Sequence, residues 1–427
     1  MLPVSSDRNG SESALLTSVL REVVEALAPL DRTPCSAGER QAAEWLAARM
    51  RAVAGIDVTL EDEPSWGTFP PTLTFLGLLG SAGAALVLAR RRAAGALLAA
   101  AALAGIVDEA QNGPRIARRM LRRRRTTVNL VASCGEESQI PPRGVEGAAT
   151  LVVLAHHDAP QTGILFDQTL QRRIYELAPK VIERTRTGPP QWWVGVAGPL
   201  CTIAAAVRAR PRLARRGLLV GLFGAALVAD VWRSKTVPGA NDNLSGVAGL
   251  VALAELLRER PLPDLRVLLV SCGAEETLQD GVRAFIARHR PDLAPGRTCF
   301  VNLDTIGSPH PVMLEAEGPV WMERYAGPWL RDELAACAGR LQIPLQRGFR
   351  ARASTDSIIP SRAGYPTATL VSMTDWRAPA NYHLPSDIPE NLDYDTVADV
   401  TRLVYELARK LAASAATSPS RASAQPL

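Results

Sequence analysis

The pattern of apolar and polar positions divides the chain into amphipathic segments and strongly apolar insertions. Apolar residues at helical spacing predict two amphipathic helices, at residues 14–28 and 36–54. Runs rich in β-branched residues predict strands, and further helical segments follow them. The strands are expected at residues 56–63, 126–133, 149–159, 264–273 and 298–307, and the helices at 246–259 and 280–289. Because strands and helices alternate, we expect an α/β fold with a mostly parallel mixed sheet flanked by helices.

Four runs without charged residues interrupt this pattern in two places; they cover residues 64–89, 93–107, 187–207 and 217–229. Each pair of runs predicts one helical hairpin inserted into the α/β domain. The expected boundaries are 11–65, 126–165 and 233–412 for the three parts of that domain, 66–110 and 187–232 for the hairpins, and 413–427 for a disordered tail.

The apolar runs favour membrane attachment. A membrane-spanning helix needs roughly 20 apolar residues, and two of the runs reach that length. The two shorter runs have arginine at their ends, which can extend toward the headgroups. The alternative is four apolar helices packed on a soluble enzyme, but these would expose a large apolar patch to water. Since the first residues carry no secretory signal pattern, we expect the α/β domain on the cytoplasmic face.

Charge and cysteine content narrow the function classes. The net charge of +5 comes largely from arginines at residues 90–92, 115–125 and 208–216, all beside apolar runs. This arrangement indicates contact with membrane lipid, and we expect no nucleic acid partner. The six cysteines have no CxxC spacing, so the sequence indicates neither a disulfide framework nor a thiolate zinc site.

Histidine or carboxylate residues follow apolar strands or lie in loops in five separate segments. Each segment alone is typical of a cap, a turn or a solvated helix start. Together they would place several acidic and imidazole groups in one crevice, because the carboxyl ends of parallel strands lie at the same sheet edge. A divalent metal would relieve that repulsion. The residues are His156, His157 and Asp158; Asp242; Glu275 and Glu276; Asp304; and His383 with Asp387.

These segments resemble the zinc aminopeptidases of peptidase family M28. The motifs HxD, GANDN(x)SG, GAEE, NLD and a late YH before a Ser-Asp pair occur in the family's order. The segment LAPLDRTPCSAGERQAAEWLAARM is similar to the family's opening helices. The hydrophobic hairpins have no counterpart in this resemblance, and about eighty residues separate HxD from the next motif, where the family has a short connection.

The resemblance implies a site for two Zn²⁺ ions. One ion would be held by His156, Asp242 and Asp304, and the other by Asp242, Glu276 and His383. Asp242 would bridge the two ions. Histidine nitrogen and carboxylate oxygen are ordinary zinc ligands, and a catalytic site leaves one position open for water.

The resemblance also implies the chemistry. Glu275 would act as general base toward a hydroxide bound by both ions, and Asp158 would orient His156 or a neighbouring group. Gly239 and Gly246 would let the loop with the bridging aspartate approach the metals closely.

We therefore expect a metallopeptidase, most simply an aminopeptidase that acts on peptide substrates. The alternatives are a catalytically silent membrane-attached binding domain and a zinc-dependent aminoacyl hydrolase or cyclase. Asp356 matches a family position near the site without an assigned role, and His157 is read as structural. The residue preference and the oligomeric state stay open.

Overall fold

A mixed sheet of nine strands runs through the part of the chain that the computed structural model describes, residues 6–53, 55–135, 149–263 and 265–417. The strands are β1 (Ile56–Ser65), β2 (Arg125–Cys134), β3 (Ala149–His156), β4 (Leu265–Cys272), β5 (Thr298–Leu303), β6 (His310–Glu317), β7 (Glu323–Arg324), β8 (Gln346–Ala351) and β9 (Thr367–Met373). Their order is β1-β2-β4-β3-β5-β9-β6-β7, and β8 pairs with β6. The centre is parallel and both edges contain antiparallel pairs, which confirms the predicted α/β class.

Helices cover the sheet, and others form the insertions. In chain order they are α1 (Ser6–Leu27), α2 (Ala37–Arg51), α3 (Pro70–Leu88), α4 (Arg92–Ala110), α5 (Ile116–Leu121), α6 (Thr169–Leu177), α7 (Pro179–Glu183), α8 (Trp193–Arg208), α9 (Pro211–Arg233), α10 (Ser245–Glu259), α11 (Asp280–His289), α12 (Pro328–Leu341), α13 (Ile358–Arg362) and α14 (Tyr394–Thr417). The largest apolar core joins α1, α2, α10, α12 and α14 to one face of the sheet. A smaller core lies under α11 and α13 on the other face.

The sheet brings the chemical segments to one edge. The parallel strands β3, β4 and β5 end at His156, Cys272 and Leu303, and His156 is paired with Cys272 in the register. The loops that follow these strands carry most of the predicted site residues. As expected for an open α/β sheet, they share the crevice beyond the carboxyl ends of the strands.

The inserted helices α3, α4, α8 and α9 form one bundle. Glycine permits close contacts in it: a Cβ on Gly198 would lie 2.9 Å from the Cα of Gly221. A Cβ on Gly83 would lie 2.7 Å from the carbonyl oxygen of Gly95. Among the described residues, only α3 and α4 are both long and apolar enough to cross a membrane, while α8 is a shorter apolar helix. This is weak evidence for membrane spans.

Both insertions leave and re-enter the α/β domain at paired positions. Ser65 at the end of β1 is paired with Arg125 at the start of β2, so the first insertion extends a β-hairpin connection. Gln161 and Thr236 form an antiparallel bridge at the base of the second. The chain therefore returns to its starting point after each insertion, and the sheet keeps its register.

Three details differ from the sequence interpretation. Helix α8 begins only at Trp193, whereas α9 extends well beyond the short apolar run and reaches Arg233. Helix α14 continues to Thr417 through residues assigned to the disordered tail, and the rest of that tail lies outside the described residues. Arg115 and Arg118 were counted among the lipid-facing arginines, but both are buried in ion pairs within the protein.

Candidate metal centre

The carboxylate of Asp242 lies between two imidazole rings at the carboxyl edge of the sheet. Its Oδ1 is 3.3 Å from Nε2 of His156, and its Oδ2 is 3.1 Å from Nε2 of His383. The same nitrogen of His383 is 3.6 Å from Oε1 of Glu276. One potential ligand atom from each of His156, Asp242 and Glu276 lies within 4.8 Å of the other two. The structure thus brings together the predicted metal ligands other than Asp304.

Asp304 follows β5 and does not belong to that group of three. Its backbone N–H donates to the carbonyl of Leu370, 3.1 Å away, which fixes the start of the loop. Burial, together with the negative charge of Asp242, raises the pKa of Asp304 to about 6. The negative charge of Asp242 therefore acts on the carboxyl group of Asp304. That Asp304 and His156 bind the same zinc ion stays a prediction.

Asp158 holds the loop that carries the two glutamates. Its Oδ1 accepts a hydrogen bond from the backbone N–H of Glu275 at 3.1 Å, and its Oδ2 accepts one from Glu276 at 3.0 Å. The same Oδ1 lies 3.4 Å from Nδ1 of His156. Asp158 is fully buried, so its two oxygens are committed to these contacts. Both halves of the site are thereby fixed relative to each other by one carboxylate.

Glu275 points to a different partner from the ligand residues. Its Oε1 accepts a hydrogen bond of 2.5 Å from Nε2 of Gln279, one helical turn further along the chain. Its side chain does not take part in the group formed by His156, Asp242 and Glu276. A carboxylate that acts as a general base must not be bound to a metal ion, and the position of Glu275 outside this group is compatible with that role.

The electrostatics of the site are dominated by buried carboxylates. Burial raises the pKa of Glu275 and of Glu276 well above the ordinary value, and neighbouring carboxylates add to the effect. Burial acts to lower the pKa of His156, but hydrogen bonds to Asp158 and Asp242 raise it on balance. A cluster of this kind stabilises a cation, since a cation offsets the repulsion between the carboxylates.

The donor set fits zinc. In a tetrahedral zinc site with bonds of about 2.0–2.1 Å, neighbouring ligand atoms are about 3.3 Å apart. The closest spacings between Asp242 and the two histidines are close to that value. Oδ2 of Asp242 and both ring nitrogens of His383 are buried and form no hydrogen bond among the described residues, because the 3.1 Å contact between Oδ2 and Nε2 lacks hydrogen-bond geometry. Buried polar atoms left in this way are the expected neighbours of a metal ion.

Comparison with known proteins agrees with this geometry. Residues 228–408 match the model of peptidase family M28. The M28 resemblance is confirmed. The matched segment contains the loop with Asp242, both glutamates, Asp304 and His383, while His156 and Asp158 precede it. No curated protein sequence matches the chain.

Solved structures show the same fold. The LapA aminopeptidase of Legionella pneumophila is 11% identical with a TM-score of 0.53, covering 96% of this chain and 75% of that chain. The zinc aminopeptidase BSAP of Bacillus subtilis is 13% identical with a TM-score of 0.51, covering 93% and 95%. A Bacteroides thetaiotaomicron glutaminyl cyclase bound to N-acetylhistamine is 13% identical with a TM-score of 0.50, covering 92% and 97%. At these identities the likeness establishes the fold.

Two buried residues of the N-terminal segment support the M28-like site, and sequence reasoning gave neither a role. Arg32 donates to the carbonyl of His157 at 2.9 Å and to that of Pro238 at 2.7 Å, which joins two site loops. Oε1 of Glu39 accepts from the backbone N–H of Ala274 at 2.8 Å, just before the glutamates. Both lie in the segment that resembles the family's opening helices, and that match was the available signal.

Asp387 fixes the loop that carries Asp242. Its carboxylate accepts hydrogen bonds from the backbone N–H groups of Asn241 at 2.7 Å and Asp242 at 3.0 Å. Gly239 has φ +59°, and a Cβ there would lie 2.4 Å from the carbonyl oxygen of Asp242. A Cβ on Gly246 would lie 2.6 Å from the carbonyl oxygen of Leu303. Both glycines therefore allow close packing of this loop against neighbouring backbone, while the predicted close approach of the loop to the metals stays a prediction.

The two residues without an assigned role are both buried. Nδ1 of His157 lies 2.9 Å from the hydroxyl of Ser271, and burial lowers the pKa of His157 to about 4, which fits a neutral structural histidine. Asp356 has no hydrogen-bond partner for either oxygen within the described part of the chain. Burial raises the pKa of Asp356 to about 7, and the charges of Asp158 and Asp304 contribute to that rise.

A small recess with both apolar and polar lining residues, among them Gln161, lies beside the M28-like site, next to Glu276 and His383. The ends of the inserted bundle form one of its walls, through Phe69 before α3 and Val231 near the end of α9. Phe166, which packs on the ring of His383 with centroids 4.1 Å apart, forms another. The insertions thus shape the mouth of the site as well as the bundle.

Proposed function

We propose that the chain is a zinc-dependent aminopeptidase that holds two Zn²⁺ ions and removes N-terminal residues from peptides. The observation that carries the proposal is that two adjacent glutamates have different contacts. Glu276 lies in the group with His156 and Asp242, whereas Glu275 is hydrogen-bonded to Gln279. The family match over residues 228–408 supports a metallopeptidase of this type.

Bound zinc would supply Lewis acidity, polarising the scissile carbonyl and making the attacking water more acidic. His156, Asp242, Glu276, Asp304 and His383 would hold the ions, with Asp242 between them. Glu275 would take the proton from the attacking water and deliver it to the leaving amine. Asp158 would keep the backbone of Glu275 in register with His156 through the contacts described above. The silent-domain alternative gives no role to Glu275, whose carboxylate lies outside the group of potential metal ligands.

The exposed face of the bundle supports membrane attachment. Apolar side chains lie exposed on several of its helices, among them Leu97, Val207, Leu219 and Phe223. In water such a surface would be unfavourable, and in lipid it would be solvated by the acyl chains. The helices satisfy their backbone hydrogen bonds internally, as a bilayer requires. The bundle thus acts as the membrane anchor of the catalytic domain.

The experiment that tests this function is a substrate profile of the full-length protein, purified in detergent and supplied with zinc. Free and N-blocked peptides of equal length should be compared by mass spectrometry. Loss of single N-terminal residues from free peptides alone supports the aminopeptidase. Cyclisation of N-terminal glutamine without peptide cleavage would favour the cyclase alternative, and binding without any turnover would favour the silent domain.

A further inference from the structure

The chain that leaves the first inserted hairpin enters the catalytic domain and reaches the proposed base. Asn112 follows α4 and is 2% exposed. Its Nδ2 donates to Oε1 of Gln279 at 2.6 Å, and Nε2 of Gln279 donates to Oε1 of Glu275. Two side-chain amides therefore connect the end of the hairpin to the carboxylate of Glu275.

The surrounding groups fix the direction of this chain of hydrogen bonds. Oδ1 of Asn112 accepts from Nη2 of Arg115 at 3.2 Å and from Nη2 of Arg283 at 3.4 Å. Because a guanidinium can only donate, the oxygen of Asn112 must face these arginines and its nitrogen must face Gln279. The nitrogen of Gln279 also donates to the carbonyl of Ser354 at 3.0 Å. Oε1 of Glu275 consequently faces the N–H donor of Gln279 and not its amide oxygen.

The backbone around Gln279 is held by the same segment. Leu278 and Gln279 have φ values of 68° and 65°, in the left-handed region that non-glycine residues rarely adopt. Arg118 donates to the carbonyl of Thr277, and Arg115 donates to that of Leu278. Residues of the hairpin's outgoing end therefore secure both the turn and the side chain that it presents.

We propose that Asn112 is a positioning residue for catalysis: it fixes the amide of Gln279 so that the carboxylate of Glu275 is held by a donor in one orientation. This inference rests on the proposed role of Glu275 as general base. It assigns the inserted hairpin a part in building the active site in addition to anchoring. Neither Asn112 nor Gln279 touches the group of potential metal ligands, so their effect should be on turnover and not on metal binding.

The substitution Asn112→Asp tests this polarity with almost no change in shape. The new carboxylate keeps the contacts with Arg115 and Arg283 but can only accept, so it favours an amide of Gln279 that turns its nitrogen toward it, against the contacts that Ser354 makes with this amide. The oxygen of Gln279 then faces Glu275, and the base loses its donor. We expect kcat to fall about 10- to 100-fold with KM within about threefold and zinc content unchanged.

Gln111→Ala is the matched control. Gln111 is as deeply buried as its neighbour, but its side chain anchors the segment to the other side, through Trp321 at 3.1 Å and Glu323 at 2.7 Å. This substitution should lower thermal stability and leave kcat within about twofold of wild type. If both substitutions reduce kcat equally, the segment has only a structural role and the proposal fails.

A double substitution gives a measurement that does not need activity. In the Glu275→Gln background the new amide can donate to the turned Gln279, so Asn112→Asp should cost less thermal stability there than in wild type. Equal losses in both backgrounds would overturn the proposal. If Asn112→Asp does not fold, Gln279→Leu replaces it, with the same expected loss of kcat at constant zinc.

The two proposals fail in different ways. If the Glu275→Gln protein is active, Glu275 is not the general base. The thermal stabilities of the single and double substitutions would still show whether hydrogen bonds connect Asn112, Gln279 and Glu275. An inactive Glu275→Gln protein combined with a fully active Asn112→Asp protein would overturn the positioning role alone. Loss of zinc from Asn112→Asp would likewise contradict it, because the residue would then support the metal site.

Discussion

Arg115 and Asp280 form a buried ion pair between the outgoing end of the first inserted hairpin and the first turn of α11. Their side chains are 5% and 3% exposed. Burial acts to raise the pKa of Asp280, but the positive charges of Arg115 and Arg118 lower it on balance, so the carboxylate is ionised in the folded protein. The hairpin is thus fastened to the helix that begins directly after the glutamate loop.

Asp280→Asn should destabilise the protein strongly. The substitution leaves the guanidinium of Arg115 buried without its counter-charge, which typically costs about 3 to 5 kcal/mol. Chemical denaturation followed by circular dichroism in detergent measures the change. Glu176→Gln is the control, because Glu176 pairs with Arg172 on the surface, and such pairs contribute about 0.5 kcal/mol or less. Comparable losses for the two variants would contradict the role of the buried pair.

Asp242→Ala should lose more bound metal than either His156→Ala or His383→Ala. One carboxylate contacts both histidines, so its removal takes a donor from both proposed zinc positions and removes the charge between them. Metal content after dialysis against a weak chelator gives the order, and added zinc should restore the activity of chelated wild type. Two retained zinc ions in Asp242→Ala would show that this residue does not bridge.

Removal of the apolar helices should yield a soluble domain that still binds zinc, provided that the outgoing segment of the first hairpin is kept. Replacing residues 70–107 and 193–231 with Gly-Ser linkers preserves Asn112, Arg115 and Arg118. Replacing residues 66–124 removes all three and should give a less stable domain with little activity. Solubility without detergent and the melting temperature measure the outcome. A soluble, monomeric full-length chain would contradict membrane attachment.

The sequence predicted the parts of the fold that depend on local pattern. Apolar strands and the polar groups that follow them gave the sheet and the segments around His156 and Asp304, because strand ends converge at one edge. Local pattern says nothing about which distant partner a charged residue meets. The sequence therefore predicts that Arg115 and Arg118 face lipid. In the structure, ion pairs with Asp280 and Glu109 hold them inside the protein.

The helix lengths were mispredicted for a related reason. The charge-free stretch at residues 187–207 includes Gly188, Pro189 and Pro190, which do not continue the helix, so α8 starts only at Trp193. Helix α9 carries arginines beyond its apolar run, and charge does not end a helix when the side chains reach solvent. The absence of charge indicates that a segment suits a lipid environment. The start of α8 is determined instead by the Gly and Pro residues that precede Trp193.

Glu275→Gln tests the central claim most directly, because it removes the proposed base without removing a proposed ligand. Zinc content and peptide turnover should be measured on the same purified sample. We predict that both zinc ions are retained and that turnover falls about 100- to 10,000-fold, the usual contribution of a general base. Turnover within a few fold of wild type, or loss of the zinc ions, would contradict the assignment of Glu275 and with it the proposed mechanism.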